Sequence, residues 1–327
     1  MLHKLLINIV FFIWAWTPAS HAQPVRAQAS YPERPLRLIV PFPPGGANDI
    51  LARMIGPRLT SAWGQPVVID NRPGAGGMTG TALAAKTAPD GYTIVLVPAT
   101  HAINVSLYAK PPYDAVNDFA PAALLATAPY MLVINPSLPA RSMKELIVLA
   151  KSKPGQLNYG SVGVGNATHL MGELLKSMAG IDITHVPYKG GAMALSEVIA
   201  GQVQLYFGTT STIQPQAKAG RVRPLAVTGI KRSHAMPEVP TIDEAGVPGY
   251  DAAGWWGILA PARTPAERVN RLNAEIVTII GSADVQRWMR EQGFEPATGN
   301  PEHFARHLRI EIDKWAKVVK TSGARAE

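Results

Sequence analysis

The chain has 327 residues, 31 Lys and Arg against 23 Asp and Glu, a formal net charge of +8, and no cysteine. That length exceeds what one hydrophobic core usually serves, so two domains are expected. An apolar content of 47% argues against a disordered chain, and the missing cysteine excludes disulfides. The basic balance suits an anionic partner, but the thickest basic cluster, Arg221, Arg223, Lys231 and Arg232, is spread along a solvated face. It is not the dense run that tracks nucleic acid, and no nucleic-acid partner is expected.

The N-terminus reads as an export signal. His3 and Lys4 precede an apolar run from Leu5 to Trp16, broken only by Asn8, and Pro18 ends it. Ser20-His21-Ala22 places small residues where a signal peptidase reads them, so residues 1–22 are expected to be cleaved, with a cut after Ala29 as the alternative. The apolar run is too short to span a bilayer comfortably, and no other segment reaches about 18 uninterrupted apolar residues.

Beyond it, short apolar strands alternate with helices. Leu36–Val40 reads as a buried strand, and a helix starts near Asn48 with Pro57 inside it. Val67–Ile69, Thr93–Val97, Met131–Ile134, Ile183–Val186, Val203–Phe207 and Leu225–Thr228 are further predicted strands. Met143–Lys151, Leu170–Ala179 and Ala192–Ala200 are predicted helices. Such alternation predicts an α/β protein whose sheets are mostly parallel and flanked by helices. The last helix is the clearest: Asn300 is its N-cap, Pro301 its first residue, and Phe304, Leu308, Ile312, Trp315 and Val319 repeat along one face. That stripe is expected to pack on its own lobe. Chain crossings between lobes are expected near Pro129 and within the Pro/Gly-rich stretch Pro237–Gly249.

Two glycine-rich turns carry the chemistry. Pro43-Pro44-Gly45-Gly46-Ala47-Asn48-Asp49 links a strand to a helix, and so does Gly160-Ser161-Val162-Gly163-Val164-Gly165-Asn166-Ala167-Thr168-His169. Glycines let the backbone approach a ligand, and the N–H groups of a helix start form an anion site. Either turn alone is as easily an ordinary connector; two facing each other across a cleft would grip a carboxylate. A third turn, Asn71-Arg72-Pro73-Gly74-Ala75-Gly76-Gly77, has Thr79 where a dinucleotide fingerprint needs glycine, and Gly163-x-Gly165 likewise runs into Thr168. No phosphate loop, nucleophile elbow or metal-ligand spacing occurs, so no metal, cofactor or enzymatic activity is expected. Of Trp255 and Trp256, one is expected to line the cleft and one to be buried.

The chain resembles the Bug-type, TctC-like substrate-binding proteins of tripartite tricarboxylate transporters from Tyr31 almost to its end. The resemblance runs through Tyr31-Pro32-x-Arg34-Pro35, Val40-Pro41-Phe42-Pro43-Pro44-Gly45-Gly46-Ala47-x-Asp49, Gly64-Gln65-Pro66-Val67-Val68, the turn at Asn71–Gly77, and Pro89-Asp90-Gly91-Tyr92-Thr93. It continues through Val186-Pro187-Tyr188-Lys189-Gly190, Pro240-Thr241-x-x-Glu244-Ala245-Gly246 and Trp255-x-Gly257. This resemblance implies a periplasmic, two-lobed binding protein of the type II, Venus-flytrap kind, a monomer that delivers a small organic carboxylate to the permease subunits of such a transporter. A ligand-sensing partner of a membrane histidine kinase is the alternative. One lobe is expected to comprise residues 31–130 and 251–327, and the other residues 131–250.

The ligand-binding set expected from the turns and the resemblance is Phe42, Gly45, Gly46, Ala47 and Asp49 on one lobe. On the other it is Ser161, Gly163, Gly165, Asn166, Thr168 and His169, with Gly208, Thr209 and Trp255 added. Asp49 would repel an anion, so its expected role is to order the loop. Asn166 stands where the family usually has Ser or Thr. Gly208-Thr209 occupies a stretch that often carries an Asp in the family, and its loss points to a non-amino carboxylate, with a second carboxylate or an aromatic ring at the far end.

Overall fold

The structure, a computed structural model, describes residues 31–325; the expected signal peptide and its cut sites lie outside them. The first half runs β1 (Leu36–Val40), α1 (Ala47–Trp63), β2 (Val67–Asn71), a 3-10 turn at Ala75–Gly77, α2 (Met78–Ala85), β3 (Thr93–Pro98), α3 (Thr100–Leu107) and β4 (Phe119–Ala128). Then follow β5 (Tyr130–Ile134), α4 (Met143–Ser152), β6 (Asn158–Ser161), α5 (Ala167–Ala179), β7 (Thr184–Pro187), α6 (Gly191–Ile199), β8 (Leu205–Thr209), α7 (Thr210–Lys218) and β9 (Arg223–Val227). The chain closes with β10 (Gly254–Pro261), α8 (Ala266–Gly281), α9 (Ala283–Glu291), β11 (Glu295–Pro296) and α10 (Pro301–Ser322).

Two sheets result, ordered β11-β4-β10-β3-β1-β2 and β7-β6-β8-β5-β9. In the first, alternate residues feed opposite faces, as the period of a strand requires. Ile39, Val95, Val97, Trp255 and Leu259 enter one core, while Leu38, Val40, Ile94, Leu96, Trp256 and Ile258 enter the other. Both faces are therefore covered, and the fold is that of a two-lobed α/β binding protein. No helix among the described residues is long and apolar enough to cross a membrane.

Both sheets are mixed, where mostly parallel ones were expected. Each keeps a parallel set of three strands, β2-β1-β3 and β7-β6-β8, to which antiparallel strands are added. The antiparallel pairings made by β4, β5 and β10 flank the places where the chain passes from one sheet to the other. Sequence periodicity missed β4 because Phe119–Ala128 is alanine-rich and contains Pro121, both unfavourable in strands. It is accommodated by tertiary packing between β10 and β11.

Three other expectations need correction. Pro57, expected to kink or shorten α1, does not shorten it, and the helix continues to Trp63. The stretch Pro237–Gly249 stays with the second sheet: Thr241 bridges Val227, and the Ile242 N–H donates to the Val227 carbonyl at 2.9 Å. The second passage comes later, just before Gly254, which pairs with Ala128. Finally, α10 is capped as expected, with Asn300 accepting from the His303 N–H at 2.9 Å, but it packs on α3, β4 and also α5 beside the second sheet.

Candidate functional site

The parallel strands of each sheet point their carboxyl ends at the turns that sequence reasoning singled out, the usual ligand position in open α/β sheets. In the β1–α1 turn, Gly45 and Gly46 are exposed and Phe42 and Ala47 half-buried. Gly45 adopts φ +84, in the left-handed region. Asp49 is 3% exposed and folds back on this turn. One carboxylate oxygen accepts from the Gly45 N–H at 3.0 Å and Arg53 Nε at 2.8 Å; the other accepts from Asn71 Nδ2 at 3.1 Å. Asn71 also donates to the Phe42 carbonyl at 3.1 Å. Burial opposes the charge of Asp49, yet these three partners hold its carboxyl below the usual range. Asp49 is thus spent on bracing the loop. The N-cap, Gly46, offers no side-chain cap. The N–H groups of Gly46, Ala47, Asn48 and Asp49 meet no protein acceptor among the described residues, so a set of open donors sits at the positive end of a 17-residue helix.

The β6–α5 turn is more densely bonded. Ser161 Oγ accepts from the Gly163 N–H at 3.1 Å, Thr168 Oγ1 from the Val162 N–H at 3.0 Å, and His169 Nδ1 from the Gly165 N–H at 3.0 Å. Asn166 is the N-cap, its Oδ1 accepting from the Thr168 N–H at 3.3 Å, and its own N–H donates to the Gly163 carbonyl at 3.3 Å. Gly163 and Gly165 are there for their backbone shape, φ +126 and +73. The N–H groups of Val164 and Ala167 meet no protein acceptor among the described residues.

Contacts link the turns. The Phe42 ring packs on Gly77, Asn104 Nδ2 donates to the Gly76 carbonyl at 3.3 Å, and a Cβ at Gly165 would overlap Leu107 at the end of α3. The end of α3 therefore spaces one turn from the other. Ser161, Thr168, His169 and Gly165 are buried, and Gly163 and Asn166 half-buried. The burial of His169 lowers its pKa, with Glu173 acting the other way.

The remaining expected residues lie on β8, at the start of α7 and on β10. Gly208 is buried inside β8, where a Cβ would overlap Ile213 and Tyr206, while Thr209 is the half-buried N-cap of α7, bonded to Ser211 and Thr212. Trp255 is 1% and Trp256 3% exposed, so both are buried, on opposite faces of β10. The Trp255 N–H donates to Glu311 at 3.0 Å, and its ring walls a cavity of about 460 Å³ with His307, Lys314 and Ile230. Neither this cavity nor one of about 680 Å³ near Arg141 and Lys218 includes a residue of the two turns. No group of three or more metal-ligating side chains gathers among the described residues.

Sequence reasoning did not place Asn71, Leu107 or His185 in the site. Asn71 opens the third glycine turn, a usable signal. Leu107 and His185 carried none, because each meets the β6–α5 turn at a residue distant in sequence, Leu107 at Gly165 and His185 at Ser161, whose Oγ is 2.6 Å from Nε2.

Residues 51–324 match the pattern of the tripartite tricarboxylate transporter family receptor. Protein BugT of Bordetella pertussis is 36% identical over 324 residues, 98% of each chain. Among solved structures, Rpa4515 of R. palustris with adipate superposes with a TM-score of 0.83 at 42% identity, over 90% of this chain and 99% of that one. MatC from Rhodopseudomonas palustris, with bound malate, gives 0.78 at 31% identity, over 88% and 100%.

Proposed function

The chain belongs to the family of tripartite tricarboxylate transporter receptors, and on that premise we propose that it is a periplasmic receptor for a small dicarboxylate, which it passes to the permease subunits of such a transporter. Members of this family are substrate-binding receptors and not enzymes, and the chain is a solute-binding protein. The observation that carries the carboxylate reading is the pair of turns leading into α1 and α5, where the N–H groups of Gly46, Ala47, Asn48 and Asp49 on one side and of Val164 and Ala167 on the other lack a protein acceptor among the described residues. Hydrogen bonds to a charged group contribute about 1.5–3 kcal/mol each, and micromolar binding needs about 8 kcal/mol, so four such donors suffice without an Arg clamp. The dicarboxylate reading is supported by the adipate of Rpa4515 and the malate of MatC.

In this reading Phe42, Gly45, Gly46 and Ala47 hold the ligand from one lobe, residues 31–130 and 251–327. Ser161, Gly163, Gly165, Asn166, Thr168 and His169 shape the opposing turn on residues 131–250, and Gly208, Thr209 and Trp255 lie toward the ligand's far end. Residues 1–22 are the export signal, and the receptor works as a monomer. Titration calorimetry with adipate, malate, hexanoate and adipamide tests the proposal. Adipate or malate binding at micromolar dissociation constants, with adipamide silent, is the expected result. Adipamide binding as tightly as adipate would overturn the anion site, and hexanoate matching adipate would overturn the dicarboxylate reading.

A further inference from the structure

We infer that His169 and His185 are a pair of positioning residues, stacked as neutral imidazoles behind the β6–α5 turn, and that their ring nitrogens decide which backbone N–H groups of that turn are left for a ligand carboxylate. The ligand half of this inference rests on the receptor reading above; the geometry rests on the chain's own hydrogen bonds.

The two rings lie 3.9 Å apart at 20°, one from α5 and one from β7, with Tyr159 of β6 at 6.5 Å from His169 and 5.1 Å from His185. Proton accounting sets their tautomers. His169 Nδ1 accepts the Gly165 N–H, so it carries no proton, and the ring's proton is on Nε2, 3.9 Å from Glu173 Oε1. Ser161 Oγ has one proton and two lone pairs. It donates to the Gly163 carbonyl at 3.1 Å and accepts the Gly163 N–H at 3.1 Å, which leaves one lone pair for His185 Nε2 at 2.6 Å. We assign His185 as the donor in that contact, with its proton also on Nε2, because this tautomer uses the serine's proton and both its lone pairs; with the proton on Nδ1, Ser161 would donate to Nε2 and leave the Gly163 carbonyl to the Asn166 N–H alone.

The surroundings keep both rings uncharged. Glu173 and Lys176 face them from α5, bonded to each other at 3.1 Å, and the Tyr159 hydroxyl from β6 lies 2.7 Å from Glu173 Oε1. Tyr250 closes the far side, donating to the Met171 carbonyl at 2.9 Å. Burial pushes His169 down, with Glu173 opposing and Lys176 assisting. Burial, then His169 and Lys176, push His185 down to about 3. A proton on His169 Nδ1 would set two donors against each other at Gly165, and a cationic ring would stack on its neighbour. The Gly163 and Gly165 N–H groups are consequently tied behind the turn, and Val164 and Ala167 are the donors presented. His185 touches no ligand in this arrangement and acts through Ser161.

The test uses the full-length purified protein with adipate as the probe. His185→Phe keeps the flat stacking face and removes the donor, whereas His185→Gln returns an N–H to the position of Nε2. His185→Phe should weaken adipate binding about tenfold or more with a thermal midpoint within a few degrees of the parent, and His185→Gln should bind within about threefold of the parent. Should His185→Phe fail to fold, His169→Phe against His169→Gln makes the same comparison at the Gly165 contact. Nitrogen-15 NMR of the ligand-free protein reads the rings directly: both should show a protonated Nε2 and a bare Nδ1 at pH 8, and His185 should keep that form down to pH 5. A His169 proton on Nδ1, or His185→Phe binding as tightly as the parent, overturns the inference. If the parent takes no adipate, malate or hexanoate, it is the receptor reading that fails, and the ring-nitrogen spectrum still decides the positioning network.

Discussion

Gly165 shows two constraints meeting at one residue. Its φ of +73 lies where an L side chain is strained, and Leu107 of α3 fills the space a Cβ would need. The backbone strain of Gly165→Ala is worth about 1–2 kcal/mol, and the overlap roughly 1–3 kcal/mol more. Urea denaturation should show that loss, and adipate affinity should fall with it because the turn must move away from α3. Adding Leu107→Ala should relieve the overlap and leave the backbone strain, so the two changes should be strongly non-additive. Simple addition of the two losses would show that the contact does not constrain the turn. Asp49 teaches a complementary lesson. Its hydrogen bonds order the loop, the role charge alone predicts, but its partners are not legible in the sequence, since Asn71 lies 22 residues away.

At the scale of elements, the helices that carry the site also bury uncharged histidines, and this sets the acid limit of the fold. His101 of α3 is 2% exposed, and Nε2 lies 3.0 Å from the Ala115 carbonyl. Burial, only partly offset by that bond, pushes its pKa down to about 4. The unfolded chain takes up a proton near pH 6.5 while the folded one refuses it. The stability this imidazole contributes is therefore complete above about pH 6.5 and is lost as pH falls from there toward 4, amounting to roughly 3 kcal/mol for His101. His169, His185 and His307 are lowered too and add in the same direction. Thermal midpoints should begin to fall below about pH 6.5, before the carboxylates titrate. His101→Gln, which keeps a donor for the carbonyl, should make that fall shallower. A midpoint flat down to pH 4.5 would contradict the buried neutral imidazoles.

For the whole molecule, the consequential element is α10. The spacing of its stripe, Phe304, Leu308, Trp315 and Val319, predicts a seam within one lobe, but the same core cluster holds Val95 and Leu124 of the first sheet with Leu132 and Phe207 of the second. Glu311, buried on this helix, accepts both the Trp255 and the Trp315 indole N–H, at 3.0 and 2.9 Å. With a core continuous through α3, α5 and α10, calorimetry should record one unfolding transition, with a calorimetric enthalpy equal to the van't Hoff enthalpy. Two resolved transitions would mean that the halves are thermodynamically independent. Trp315→Ala should lower the single midpoint and cost about 3–5 kcal/mol.

The sequence by itself determined the α/β class, the placement of most strands and helices of the parallel sets, the caps of α10 and the two turns, because periodicity, glycine and capping residues act over a few neighbouring positions. It also determined the family, through motifs distributed along the chain. Only the tertiary structure decided that Phe119–Ala128 and Gly254–Pro261 are strands, that Trp255 and Trp256 are both buried, and that α10 reaches α5. It alone brought His185 to Ser161 and Leu107 to Gly165. Those outcomes depend on which distant surfaces share a core, where the free energy of burial outweighs the local preference of an alanine-rich or glycine-rich segment.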